Sequence, residues 1–141
     1  MTSAKSVFRM APQIIGSAVL VTLILSYQVP WNATRYIGLT ITVLASVLFL
    51  TARYQLGESF SINPQAKHLV TSGVYSRIRN PLYVFSTLMI LGAVIAYQQP
   101  VFLLIPAAIV VVQATRAHRE ARVLEAAFGD AYREYRKRTW F

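Results

Sequence analysis

The sequence predicts an all-α integral membrane protein: one domain, a bundle of four transmembrane helices with a cytoplasmic helical extension at its C-terminal end. Composition is the first reason, because 55% of the 141 residues are hydrophobic and only 13% are charged. The second is the spacing of the charges. No residue is charged between Arg9 and Arg35, between Arg35 and Arg53, or between Arg79 and Arg116. These gaps are long enough to hold helices that cross a lipid bilayer.

The first two gaps each predict one helix, at about residues 12–27 and 36–52. The second of these is close to the lower limit of about 17 residues for a span. The third gap is too long for one helix and is interrupted by Gln98-Gln99-Pro100, where a polar pair precedes a residue suited to a helix start. This gap therefore predicts a helical hairpin, with one helix at about residues 81–97 and another that begins near residue 100.

The fourth helix is predicted to leave the membrane near Arg116 and to continue to about residue 128, because apolar residues still recur every three or four positions. In the tail of residues 129–141, Gly129-Asp130 can end that helix and cap a short second one. The short helix carries Tyr132, Tyr135 and the basic run Arg136-Lys137-Arg138. We interpret the basic run as a membrane-surface anchor.

The basic residues predict the orientation of the bundle. Thirteen of the fourteen lie in the N-terminal tail, in the loop of residues 53–80, or from Arg116 onward. Only Arg35 lies on the opposite side, which is the asymmetry expected when the basic side is cytoplasmic. Four aromatic residues mark the opposite ends, where rings favour the headgroup layer: Tyr27, Trp31, Tyr36 and Tyr97. We therefore expect both termini and the loop on the cytoplasmic side of an inner or plasma membrane.

Several classes of protein fit the composition poorly. A formal charge of +9 suits nucleic acid, but here it borders apolar runs, which favours an anionic membrane surface as partner. The chain has no cysteine and only two histidines, His68 and His118, so no metal site is expected. The six glycines form no G-x-G-x-x-G, so no soluble dinucleotide-binding sheet is expected.

A small four-helix membrane transporter is the main alternative, because its size and layout are the same. Against it, all five acidic residues fall outside the predicted spans, whereas proton-coupled transport usually needs an intramembrane carboxylate. A non-catalytic membrane scaffold is a third possibility.

Polar residues concentrate between Gly57 and Tyr83, and again around Glu120. Asn80-Pro81 is typical of an N-cap followed by the first helical residue. Free backbone N–H groups at such a helix start, with Arg79 beside them, can hold a carboxylate or phosphate. The alternative is that Asn80 only caps and Arg79 reaches lipid phosphate.

Three further features add to this candidate site. Gly73 follows Thr71-Ser72 in a turn, where it either takes a positive φ or lets a ligand approach the backbone. Tyr75 and Tyr83 flank Arg79, so they form an aromatic wall for a cationic ligand or anchor singly at the interface. Glu120 lies one helical turn beyond Arg116, and either pairs with it or faces a cofactor amine.

Four segments occur in order: Leu69-Val70-Thr71-Ser72-Gly73-Val74-Tyr75, Arg79-Asn80-Pro81-Leu82-Tyr83, Arg119-Glu120-Ala121-Arg122-Val123-Leu124 and Phe128-Gly129-Asp130-Ala131-Tyr132-Arg133-Glu134-Tyr135. Together they resemble the isoprenylcysteine carboxyl methyltransferase and phospholipid methyltransferase superfamily of membrane enzymes. The resemblance covers roughly residue 53 to the C-terminal end. It implies an S-adenosylmethionine-dependent methyltransferase whose cofactor enters from the cytoplasm and whose lipophilic acceptor arrives through the bilayer.

The resemblance also implies roles for individual residues. Arg79 and Glu120 would be catalytic, and the cofactor would contact His68, Leu69, Val70, Gly73, Tyr75, Asn80, Tyr83 and Glu120. Two positions depart from the pattern, since the family often has histidine where Asn80 stands and commonly a second glutamate where Ala121 stands. A carboxylate acceptor needs no base, whereas an amine or thiol must lose a proton, for which Glu120 and His118 are the candidates.

Overall fold

The computed structural model describes residues 2–57 and 69–141, with side chains from Phe8 onward in the first helix. Within these ranges the backbone is helical apart from turns and one isolated bridge between Ile78 and Trp140. The helices are α1 (Thr2–Ser26), α2 (Ala33–Leu56), α3 (Pro81–Tyr97), α4 (Leu104–Phe128) and α5 (Asp130–Arg138), with short 3-10 turns at Gly73–Ser76 and Pro100–Leu103. The all-α prediction is confirmed for the described residues.

In the described part of the chain, three stretches are long and apolar enough to cross a membrane: Phe8–Ser26, Ala33–Leu56 and Pro100–Phe128. The helix α3 is also apolar but has only 17 residues, which corresponds to about 26 Å at 1.5 Å per residue. Large apolar side chains such as Leu23, Leu44 and Val111 are at least half exposed. Such outward-facing apolar surface is suited to contact with lipid tails rather than water.

The predicted bounds hold for α3 and for the end of α4, but α1 and α2 are longer than the predicted stretches. The apolar pattern marks where lipid begins, whereas the helical backbone continues beyond it. Pro12 therefore lies inside α1 rather than at its start. The helix α2 begins earlier because the Asn32 side chain caps it, accepting the Arg35 N–H at 3.0 Å. Its last residue is Leu56, and Gly57 follows as the C-cap with φ at +54°. The loop predicted from residue 53 therefore begins later.

The helices α2 and α3 form the main helix pair of the fold, and small residues let their backbones touch. A Cβ at Gly38 would lie 2.6 Å from the Gly92 carbonyl oxygen, and a Cβ at Gly92 would lie 2.7 Å from the Thr42 nitrogen. The Thr42 hydroxyl lies 2.9 Å from the Gly38 carbonyl and 3.3 Å from that of Met89 on α3. Close backbone approach and interhelical hydrogen bonding are the usual means of holding helices together in lipid.

Replacing Gly38 by alanine is expected to destabilise the protein by about 2 kcal/mol, because the added methyl meets backbone atoms that cannot move aside. The matched control is Gly16→Ala, since nothing lies within 4 Å of the added methyl there. Both changes carry the same gain in helix propensity, about 1 kcal/mol. Thermal unfolding in detergent should therefore show a lower midpoint for Gly38→Ala only; equal midpoints would contradict the close crossing.

The side of the bundle opposite the candidate site is closed by a buried arginine. Arg35 is only 1% exposed, and its guanidinium donates to the carbonyls of Ile24 and Tyr27, both at 2.8 Å, and to that of Val29. The same group lies 3.9 Å from the centre of the Trp31 ring. The one basic residue predicted on this side thus caps the C-terminal end of α1 instead of facing solvent.

Candidate active site

The segment of residues 77–80, which leads into α3, is held by the C-terminal residues 139–141, here called the clasp. The Trp140 N–H donates to the Arg77 carbonyl at 3.0 Å, and the Trp140 carbonyl accepts the Arg79 N–H at 3.2 Å. The Phe141 carbonyl accepts the Asn80 N–H at 3.0 Å. The two backbone segments joined by these bonds run parallel to each other. The bonds fix the backbone immediately before Pro81.

Asn80 occupies the N-cap position and Pro81 the first helical position, as predicted, but the Asn80 side chain makes no capping hydrogen bond. The Asn80 carbonyl accepts the N–H groups of Tyr83 and Val84, at 3.1 and 3.2 Å. The N–H groups of Arg79 and Asn80 are bonded to the clasp. These two amides, which precede the helix, are therefore not available to an anion, since a backbone donor already paired with a carbonyl is engaged. The predicted anion site at the N–H groups of the first turn of α3 stays a prediction.

Tyr83 links the start of α3 to α4. Its hydroxyl donates a hydrogen bond to Oε1 of Glu120, and the Arg116 guanidinium lies 5.8 Å from the centre of its ring. Arg116 and Glu120 are one helical turn apart, so they share a face of α4. All three side chains are half-buried. The structure thus brings Glu120 to the first turn of α3, next to Arg79 and Asn80, which we call the Arg79-Asn80 corner. His118, in contrast, is exposed on α4.

Gly73 begins the 3-10 turn with φ at +61°, which confirms one of the two alternatives for this glycine. A Cβ at this position would collide with the Gln55 carboxamide, because Gln55 reaches from the last turn of α2 and accepts the Val74 N–H at 2.8 Å. The group that approaches the Gly73 backbone in this structure is therefore a side chain of the protein itself.

Tyr75 is a core residue, contrary to the predicted aromatic wall. It is 6% exposed and packs with Ala52 and Phe85, so its ring offers no open face to a cationic ligand. Burial raises the pKa of its hydroxyl, and the neighbouring Tyr135 raises this pKa further. That hydroxyl is buried and has no hydrogen-bond partner among the described residues, and the same is true of Nε of Arg79.

Tyr132 and Tyr135 had no predicted role in the site, although both are buried beside the 77–80 segment, at 3% and 4% exposure. The Tyr135 hydroxyl donates to the Tyr75 carbonyl at 2.7 Å. Burial raises the pKa of Tyr132. The positive charge of Arg79 partly lowers this pKa, and the negative charge of Glu120 raises it. Their three-residue spacing on one face of α5 was the signal available in the sequence.

Tyr135 predicts a loss of stability at alkaline pH. Burial raises its pKa to about 12, whereas an unfolded tyrosine ionises near pH 10. The contribution of the neutral hydroxyl is therefore complete below about pH 10 and is lost as the pH rises towards the folded value. Thermal unfolding followed across this range should show a smaller alkaline decrease for Tyr135→Phe than for the unmodified protein. Tyr54→Phe is the control, because Tyr54 is 65% exposed; an unchanged decrease in Tyr135→Phe would contradict the assignment.

A second polar link joins α3 and α4 further from the clasp. The Thr87 hydroxyl donates to the Gln113 carboxamide oxygen at 2.7 Å, and the Gln113 nitrogen donates to the Ser86 hydroxyl at 2.9 Å. Gln113 lies two helical turns before Glu120, so polar groups continue from the candidate site along the seam between these helices. This link was not predicted from the sequence.

The remaining predicted cofactor contacts are Leu69 and Val70, which are half-buried, and His68, which lies outside the described residues. Val70 packs against the cluster of Ala52, Tyr75 and Phe85. The burial of Arg53, which is 6% exposed, was also not predicted. Its guanidinium donates to the Gly57 carbonyl at 3.2 Å.

A model of the phospholipid methyltransferase family matches residues 33–131, which takes in α2, α3, α4 and the contact between Tyr83 and Glu120. Together with the long apolar helices, this match defines the class as an integral membrane methyltransferase. The chain belongs to the phospholipid methyltransferase family. The resemblance drawn from the four sequence segments is confirmed at this level, and the match begins earlier than expected, at the start of α2. No curated protein matches the chain.

Proposed function

We propose that the protein transfers a methyl group from S-adenosylmethionine to a lipid or other lipophilic acceptor that bears an amine, carboxylate or thiol. The family match supports methyl transfer. The observation that carries the site assignment is the hydrogen bond from Tyr83 to Glu120. It joins the corner formed by Arg79 and Asn80 to the carboxylate that follows the last apolar stretch.

The side chains at this corner fit the cofactor's amino-acid end, which carries an ammonium and a carboxylate. Glu120 is suited to accept hydrogen bonds from the ammonium, and Arg79 is suited to donate to the carboxylate. Buried polar atoms are rarely left without partners. Among the described residues there are four such atoms, Nε of Arg35, Arg53 and Arg79 and the Tyr75 hydroxyl. The Arg79 atom belongs to this corner, where an acceptor group of a bound molecule would satisfy it.

The proposed topology places four helices across the membrane, with both termini and the loop before α3 in the cytoplasm. The assignment of α3 as a span rests on its two ends. Arg79 precedes it on the basic side, and on the other side Tyr97 stacks with Tyr27 at 4.4 Å between ring centres. A helix of 17 residues spans when flanking residues reach the headgroups or the bilayer thins locally.

When bound, S-adenosylmethionine supplies an electrophilic methyl group. The residues of the chain would act by position and by proton transfer. Arg79 and Glu120 would hold the cofactor at its charged end, at the point where α3 and α4 leave the lipid. If the acceptor is an amine or thiol, Oε2 of Glu120 would take up its proton, while the Tyr83 hydroxyl holds Oε1 and so orients the carboxylate. A carboxylate acceptor would require only orientation.

The test is isothermal titration of S-adenosylhomocysteine into the detergent-purified protein, followed by transfer of labelled methyl groups to a panel of lipids, amines and thiols. Saturable binding with transfer is the expected result. Absence of binding at millimolar ligand would overturn the proposal. Binding without transfer to any acceptor would favour the non-catalytic scaffold, for which the alanine at position 121 is the sequence argument.

A further inference from the structure

The end of α5, the clasp and the neighbouring Arg77 carry exposed basic and aromatic side chains. We call them together the basic surface: Arg77, Arg136, Lys137, Arg138 and Trp140. All five side chains are exposed, Trp140 at 59%. Lys137 pairs with Glu134 at 2.6 Å, but the three arginines make no ion pair with a carboxylate of the described residues. Three cationic groups are therefore open to an external partner.

The same segment is tied to the candidate active site through its backbone. Trp140 and Phe141 provide the hydrogen bonds that engage the N–H groups of Arg79 and Asn80. The Thr139 hydroxyl donates to the Tyr135 carbonyl at 2.9 Å, and Tyr135 in turn bonds to Tyr75. The clasp thus has an outer side made of charged and aromatic side chains and an inner side made of backbone groups that hold the 77–80 segment.

We propose that the basic surface docks on anionic lipid headgroups, and that docking holds the clasp against residues 77–80. The membrane's surface charge would then set how firmly the Arg79-Asn80 corner is ordered. The docking does not depend on the proposed function; only the statement that the corner is a cofactor site rests on it.

Position and composition favour lipid over other anionic partners. The clasp pairs with the residues that immediately precede the apolar helix α3, which places it at the level of the headgroups. Tryptophan beside basic residues is the combination that prefers this layer. Each basic residue close to an anionic membrane surface contributes about fivefold in affinity, so Arg136 and Arg138 together are expected to contribute roughly 30-fold.

The experiment compares the full chain in nanodiscs of phosphatidylcholine alone and in nanodiscs that also contain phosphatidylglycerol. Hydrogen exchange is measured at the amides of Arg79 and Asn80, because their N–H groups bond to the clasp. Anionic lipid is expected to slow this exchange severalfold. The double variant Arg136→Gln, Arg138→Gln should lose the effect. The matched control, Arg119→Gln with Arg122→Gln, removes the same charge from exposed positions on α4 and should retain it.

Equal exchange in the two kinds of nanodisc would overturn the inference. So would an equal loss in both double variants, because net charge rather than the basic surface would then be responsible. Protection by an oligonucleotide as strong as that by phosphatidylglycerol would assign the surface to nucleic acid instead. Titration of S-adenosylhomocysteine on the same nanodiscs separates the two proposals: lipid-dependent protection without ligand binding would overturn the enzymatic function and leave the docking intact.

Discussion

Replacing Glu120 by glutamine is expected to weaken binding of S-adenosylhomocysteine by roughly 10- to 100-fold, because a hydrogen bond to a charged group contributes about 1.5–3 kcal/mol. The substitution keeps the size of the side chain and its ability to accept from the Tyr83 hydroxyl, but removes the negative charge that would meet an ammonium group. Methyl transfer is expected to fall at least as far. Isothermal titration and labelled-methyl transfer measure the two effects.

Glu125→Gln is the matched control, because Glu125 lies on the same helix and pairs with Arg133 at 2.9 Å on the surface. It should leave ligand affinity within about twofold, since its carboxylate is already engaged by Arg133 and an exposed ion pair contributes only about 1 kcal/mol or less to stability. The thermal unfolding midpoints of both variants should remain near that of the unmodified protein. Equal affinities for Glu120→Gln and Glu125→Gln would refute the role of Glu120.

Replacing Arg35 by alanine is expected to cost at least about 3 kcal/mol of stability. Hydrogen bonds to a charged donor contribute about 1.5–3 kcal/mol each, and this guanidinium serves the Ile24 and Tyr27 carbonyls, both at 2.8 Å, as well as that of Val29. Denaturation by increasing SDS in mixed micelles gives the measurement. Arg35→Lys should recover part of the loss, because an ammonium cannot reach all of these oxygens at once.

The control for this prediction is Arg119→Ala, since Arg119 is exposed on α4. Its stability should change by less than about 0.5 kcal/mol, as is usual for surface substitutions. If Arg35→Ala unfolded no more readily than Arg119→Ala, the cap at the end of α1 would contribute nothing measurable.

The fold could be predicted where the sequence carries chemical boundaries. Pro81 and the Gln98-Gln99-Pro100 interruption fixed both ends of α3, because a proline defines a helix start and polar residues leave the lipid. The start of α1 and both ends of α2 were misplaced because loss of hydropathy was taken as loss of helix. Helical backbone forms in water as well as in lipid, and Asn32 and Gly57 set the true limits of α2.

The candidate site was predictable only in part. The residues that the family resemblance marks, Tyr83 and Glu120, do meet in the structure. Tyr75 was misjudged because a tyrosine near a membrane boundary serves either as a surface anchor or as a core residue, and its neighbours in space are not visible in one sequence. The clasp could not be predicted, because hydrogen bonds between the backbones of residues 77–80 and 140–141 leave no side-chain pattern.

The glycines at the crossing of α2 and α3 have a mechanical consequence. Two helices in backbone contact behave as one stiff unit, so Gln55 and Tyr83, at its inner end, keep a fixed separation. Side-chain hydrogen bonds join the helix α4 to this unit, from Tyr83 to Glu120, from Thr87 to Gln113 and from Gln113 to Ser86, and such bonds can break and re-form. We therefore expect α4 to shift more readily against the pair α2–α3 than α2 and α3 shift against each other.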